Sequence, residues 1–212
     1  MSATSRYSSL LFLSVLWLTA AAGGMPLTGK DLSKELVSAL RSGGYVIVMR
    51  HASSPPDPPA AAQANADNLQ RERQLDESGR ASARAMGDAL RRLKIPVGRV
   101  LSSPTYRALE TLRMAQLGPV QTYPELGDAG HSMQGDSSGL RGAWLRTHVE
   151  TPPPQDTNTV IVTHFPNLTE AFPAETKELA DGEALIFKPD GHGGATLVAR
   201  VKIGEWTQLP SP

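Results

Sequence analysis

Two short apolar runs, each closed by a histidine, constrain this chain more than any other feature. Tyr45-Val46-Ile47-Val48-Met49 leads into Arg50-His51, and Thr159-Val160-Ile161-Val162-Thr163 leads into His164. Runs of this length, rich in β-branched residues and lacking polar alternation, read as strands buried on both faces, as in the middle of a largely parallel sheet. In open sheets of that kind ligands bind in the crevice beyond the carboxyl ends of the strands. An arginine beside a histidine at such an end suggests an anion held against a nucleophile, and a second histidine placed alike on another strand strengthens that reading.

The segments between the two runs supply the helices that such a sheet needs. Leu32, Leu36, Val37 and Leu40 predict a helix from Asp31 to Arg41, stopped by Gly43-Gly44. After His51, the proline-rich stretch Ser53 to Asn68 reads as a loop leaving the site, a candidate wall for substrate. Ala83, Met86, Leu90 and Leu93 predict a helix over Arg80 to Leu93, and Arg99 to Ser103 a short strand, completing a βαβ unit. Pro104 opens the next helix and places Arg107 in its first turn, where unpaired backbone N–H groups favour an anion. A short strand Val120 to Tyr123 precedes a loop rich in glycine and serine that ends near Gly139. Leu140, Trp144, Leu145 and Val149 suit an amphipathic helix, and Leu168 to Phe172 a brief one. Glu183 to Phe187 and Ala195 to Val201, joined through Pro189 to Gly194, predict a β-hairpin at the sheet edge, with Trp206 closing the core.

Composition narrows the partners. The 21 basic and 21 acidic residues cancel, so net charge favours neither nucleic acid nor an acidic membrane surface. The 212 residues contain no cysteine, which excludes disulfides and thiolate metal sites, and no His-Glu-x-x-His spacing is present. Arg6, the apolar run Leu10 to Leu18 and the small residues Thr19 to Gly24 have the layout of a secretory signal peptide. Residues 1–24 are therefore expected to be removed, leaving 25–212 as a single domain, periplasmic or secreted and without stable membrane insertion. No cysteine follows the apolar run, so lipid anchoring there is excluded.

Arg50-His51-Ala52 after an apolar strand, Ser102-Ser103-Pro104-x-x-Arg107-Ala108-x-x-Thr111, and Val162-Thr163-His164 occur in an order that resembles the histidine phosphatase superfamily, in its phosphoglycerate-mutase-like branch (branch 1). The resemblance spans Tyr45 to Trp206. It implies a three-layer α/β/α fold with a mixed, mostly parallel central sheet and a C-terminal β-hairpin. It also implies a phosphohistidine on His51, with Arg50, Arg107 and His164 binding the phosphoryl group of a small phosphorylated substrate, and no cofactor or metal. Alanine stands at position 52 where the family often has glycine, as it does in some small phosphohistidine phosphatases of the family. Phe165 follows the second histidine where phytase-like members carry aspartate, so the proton donor must come from elsewhere.

Elementary chemistry supports the same roles. A transferring phosphoryl group spreads charge over its oxygens, which arginines can clamp, and displacement of an alkoxide requires a carboxyl group to protonate it. That acid is assigned to Glu125, set between Pro124 and Leu126, with Asp128 as the reserve. Arg73, Asp128 and Asn167 are candidates for substrate contact, as are Arg71 and His131, while Asn167 also suits a helix N-cap. His148 and His192 read as surface residues. The alternatives to a secreted phosphomonoesterase are a catalytically silent phosphate-ligand-binding protein of the same fold and a phosphohistidine-protein phosphatase.

Overall fold

The computed structural model describes residues 29–128 and 140–211. The expected signal segment and His131 lie outside them. Six strands form one sheet in the order β3-β2-β4-β1-β5-β6: β1 (Val46–Arg50), β2 (Val97–Ser102), β3 (Gln121–Thr122), β4 (Asn158–Thr163), β5 (Ala184–Pro189) and β6 (Ala195–Val201). β1, β2, β3 and β4 are mutually parallel, β5 runs antiparallel to β1, and β6 returns antiparallel to β5 as the hairpin. The expected mixed, mostly parallel sheet is present.

Side-chain alternation along β1 explains why both of its faces are covered. Ile47 and Met49 enter a core with Val37 and Leu40 of α1 (Gly29–Arg41), Met86 and Leu90 of α2 (Glu77–Arg92), Leu112 of α3 (Tyr106–Ala115) and the fully buried Trp206. Val46 and Val48 enter a second core with Leu145 and Val149 of α4 (Leu140–Glu150) and Leu168 of α5 (Phe165–Ala171). Helices thus lie on both sides of the sheet, and each fully buried aliphatic side chain contributes about 1.5–3 kcal/mol. Gly43, which ends the first helix, has φ +74°, and a Cβ there would lie 2.5 Å from the backbone of Asp156, so only glycine fits that turn.

Two elements differ from the sequence reading. β1 and β2 are not neighbours, because β4 is inserted between them and pairs with both. α5 starts at Phe165, three residues before the expected Leu168, because Pro166 sits in its first turn, where a missing N–H costs nothing. The insertion of β4 matters for function, since it sets the ends of β1, β2 and β4 side by side. The His51 N–H donates to the Thr163 carbonyl at 3.0 Å and the Ser103 N–H to the Val162 carbonyl at 3.0 Å, so the three chain segments are joined where they leave the sheet. Among the described residues no helix is long and apolar enough to cross a membrane.

Candidate active site

His51 leaves the end of β1 buried, with its ring fixed by the residue that follows it. Its Nδ1 lies 2.8 Å from the Ala52 carbonyl oxygen, which can only accept, so Nδ1 carries the proton and Nε2 keeps its lone pair. Ala52 is itself anchored, since its N–H donates to Thr111 Oγ1 at 3.1 Å and that hydroxyl donates to the Arg107 carbonyl at 2.9 Å. The Ala52 methyl packs in a small core with Leu75 and Ala83. This explains why alanine is accommodated at that position: its side chain is spent on packing beneath the site.

Arg107, in the first turn of α3, joins the other groups. Its Nε–H points at His51 Nε2 at 3.3 Å, and its Nη2 donates to Asp128 Oδ2 at 2.8 Å and to His164 Nδ1 at 3.2 Å. A guanidinium only donates, so His164 Nδ1 is the acceptor and its Nε2–H is directed to Ser103 Oγ at 2.9 Å, with Thr105 Oγ1 at 3.2 Å. The two histidines meet edge to face with ring centroids 5.2 Å apart. Burial, reinforced by the charges of Arg107, Arg50 and Arg73 and opposed by the bond to Ala52, lowers the His51 pKa to about 3. Burial and then Arg107 likewise hold His164 well below the ordinary histidine value. Both rings are neutral at neutral pH, and His51 presents a nucleophilic nitrogen.

These groups line a cavity of about 210 Å³ together with Arg50, Arg73, Phe165 and Pro166. Arg50 ends β1, pairs with Asp181 at 2.7 Å and lies over the Phe165 ring at 5.7 Å. Arg73 reaches in from the long loop, with Nε donating to the Pro55 carbonyl at 2.7 Å and Nη2 to the Ser54 carbonyl at 3.3 Å. Three guanidinium groups around a small cavity holding a neutral imidazole form a receptacle for a multiply charged oxyanion. The loop that carries Arg73 is tied to α3 by polar contacts. Glu72 Oε2 accepts from the Tyr106 N–H at 3.0 Å, so the protein's own carboxylate meets the N-terminus of that helix. Glu110 Oε2 accepts from the Leu75 N–H at 2.7 Å and Glu110 Oε1 from Asn65 Nδ2 at 3.0 Å. Among the described residues no group of three or more His, Cys, Asp or Glu is arranged to hold a metal ion.

Of the residues expected in the site, Arg50, His51, Arg73, Arg107, Asp128 and His164 line the cavity, and Arg71, Glu125 and Asn167 do not. Glu125 sits in the single helical turn Pro124–Leu126, and its backbone carbonyl accepts from Asn167 Nδ2 at 3.2 Å. Asp128, two residues beyond that turn, takes the inward position. Asn167 is the third residue of α5 and not its N-cap, which is His164. It also donates to Thr163 Oγ1 at 3.0 Å, tying the 124–126 turn to the end of β4. Phe165, Pro166 and Asp181 were not singled out from the sequence. The first two directly follow His164, and Asp181 belongs to an Asp-Gly turn pair just ahead of β5; these were the available signals.

Over residues 46–138 the chain matches the family model of the histidine phosphatase superfamily, branch 1. The match carries Arg50, His51, Arg107 and Asp128; His164 lies beyond it. A solved structure of the protein histidine phosphatase SixA complexed with tungstate is similar in fold, with TM-score 0.55 and 22% identity over 75% of this chain and 97% of that one. The structure of the open reading frame Rv3214 from Mycobacterium tuberculosis is similar as well, with TM-score 0.51 and 16% identity over 76% of this chain and 98% of that one. At these identities the likeness is one of fold. No curated protein matches the chain.

Proposed function

We propose that the chain is a phosphomonoesterase that works through a phosphohistidine on His51. The observation that carries this reading is the Nε2 lone pair of His51, held toward three guanidinium groups by the bond from Nδ1–H to Ala52. A phosphate ester enters with its oxygens on Arg50, Arg73 and Arg107, while His164, accepting from Arg107 and donating to Ser103, holds the Arg107 guanidinium in place. His51 Nε2 attacks phosphorus, forming the P–N bond as the bond to the ester oxygen breaks. Asp128 protonates the departing alkoxide. In the resting site Asp128 is paired with Arg107, which favours its ionised form, but a bound dianion competes for the arginine and leaves the carboxyl beside negative charge, where protonation is favoured. In the second half, water attacks the phosphohistidine, Asp128 takes a proton from that water, the P–N bond breaks and inorganic phosphate leaves.

Water is the acceptor in this proposal, because a mutase must shield its phosphohistidine, whereas Arg50 at the mouth remains 27% exposed. The ion pair of Asp128 with Arg107 also favours a second reading. A phosphohistidine substrate has an imidazole leaving group that needs less help from an acid than an alkoxide does. The N-terminal apolar run supports export to the periplasm or beyond, which fractionation of cells expressing the full chain would check. The reading is tested by offering residues 25–212 a panel of sugar phosphates, phosphoamino acids, phosphohistidine and lipopolysaccharide fragments, with phosphate release as the readout. Release is expected from at least one substrate and from none with His51→Ala. Binding of inorganic phosphate without turnover of any member would favour the silent binding protein.

A further inference from the structure

Asp181 has no part in the chemistry above, yet the fold builds a rigid turn around it. The Glu183 N–H donates to the Ala180 carbonyl at 3.2 Å, closing a turn in which Gly182 takes φ +69°. A Cβ on Gly182 would lie 2.7 Å from the Ile203 side chain, so both the conformation and the packing require glycine. The Glu183 carboxylate, 3% exposed, reaches back to the Ala180 N–H at 2.9 Å, and Arg200 of β6 holds it at 2.7 Å while also donating to the Lys177 carbonyl at 3.1 Å. The turn is docked on the end of β1: the Gly182 N–H donates to the His51 carbonyl at 3.0 Å and the Arg50 N–H to the Glu183 carbonyl at 3.3 Å. Its product at the site is one carboxylate, 2.7 Å from Arg50 Nη2.

We infer that Asp181 is a positioning residue that aims the Arg50 guanidinium at the bound oxyanion. Arg50 is a long, half-exposed side chain, and holding it unaided would forfeit rotamer entropy each time a ligand binds. The carboxylate on the locked turn pairs with Arg50 Nη2 by charge, without hydrogen-bond geometry, so it draws the guanidinium to one side and leaves its N–H donors to the cavity that Arg50 lines. The Arg50 Nε–H has no acceptor among the described residues, so the protein does not compete further for this guanidinium. The opposite role, a placeholder that occupies Arg50 until substrate displaces it, would call for a mobile carboxylate. The backbone that carries Asp181 is instead braced from β1, β6 and its own turn through Ala180, Gly182 and Glu183.

The inference rests on the proposed oxyanion site, and its test reads binding and turnover separately. Calorimetric Kd for inorganic phosphate and kcat and KM for an aryl phosphate are measured for the wild type, Asp181→Ala, Asp181→Asn and Arg200→Met. Asp181→Ala is expected to weaken phosphate binding about tenfold and raise KM by a similar factor, with a smaller change in kcat. Asp181→Asn keeps the shape but removes the charge that makes the ion pair, and is expected to weaken phosphate binding by nearly the same factor as Asp181→Ala. Arg200→Met, which loosens the turn from outside the site, shifts Kd in the same direction as Asp181→Ala by a smaller factor. Phosphate bound by Asp181→Ala as tightly as by the wild type, or more tightly, overturns the inference even if the wild type hydrolyses esters. The expected order of Kd values in a protein that hydrolyses nothing supports the inference and removes the phosphatase reading instead.

Discussion

The floor of the cavity and its rim are built from the same kinds of residue but held in different ways. On the floor, His51, Arg107, Asp128 and His164 are 2–3% exposed; the histidines follow strand ends, Arg107 opens a helix, Asp128 follows a short turn, and Arg107 bonds to the other three. Removing any one of them strands a partner in a dry environment, where an orphaned charge or donor is costly. At the rim, Arg50 and Arg73 are partly exposed and borrow their positions from loops: a locked turn for Arg50, and the carbonyls of Ser54 and Pro55 for Arg73. The difference separates two tasks. In the proposed reaction the floor fixes protonation states and the reacting nitrogen, while the rim sets how a substrate is gripped.

Several substitutions break or sharpen this division, the largest effect coming from the floor. Asp128→Asn is expected to lower kcat on an alkyl phosphate by about 10²-fold or more and on an aryl phosphate with an acidic phenol by far less. Glu125→Gln is expected to leave both rates within about twofold, since its side chain lies outside the cavity lining. The selective loss appearing in Glu125→Gln instead would return the acid role to that residue. Arg73→Ala, at the rim, is expected to raise KM about tenfold with a smaller loss in kcat. An equal fall in kcat and kcat/KM would move Arg73 to the floor's task.

A separate effect is on stability. The folded-state pKa of His51 is lowered from 6.5 to about 3, so within that window the unfolded chain binds a proton that the folded chain refuses. Stability therefore falls as pH drops from 6.5 toward 3, and His164 acts in the same direction. Urea unfolding across this range should show a slope shallower in His51→Asn than in the wild type, by up to roughly 1.4 kcal/mol per pH unit. Identical slopes would mean that His51 is protonated in the folded protein.

The floor was legible in the sequence because it is local. Apolar runs, a proline at a helix start and the residues that directly follow them put His51, Arg107 and His164, and with them Arg50 of the rim, at element ends, and those ends survive any arrangement of the strands. The position of β4 between β1 and β2 was not legible, since it depends on which strands pair and not on the pattern within any one of them. The choice between Glu125 and Asp128 was not legible for a related reason. An apolar sequence neighbourhood suggested desolvation for Glu125, but burial is decided in three dimensions, and it is Asp128, 2% exposed, that lines the cavity. Rim residues contributed by irregular loops carry the weakest signal: Arg73 depends on carbonyls eighteen and nineteen residues earlier in the chain, and Asp181 on a turn braced from β6.

The central claim is that phosphorus is transferred to His51 Nε2. Rapid mixing of residues 25–212 with an aryl phosphate, quenching in base and mapping the modified peptide by mass spectrometry tests it directly. The account predicts one phosphate on His51, stable in base, lost in acid and absent from His51→Ala. Steady turnover with no phosphate on His51 in the wild type, or retained turnover in His51→Ala, would contradict it.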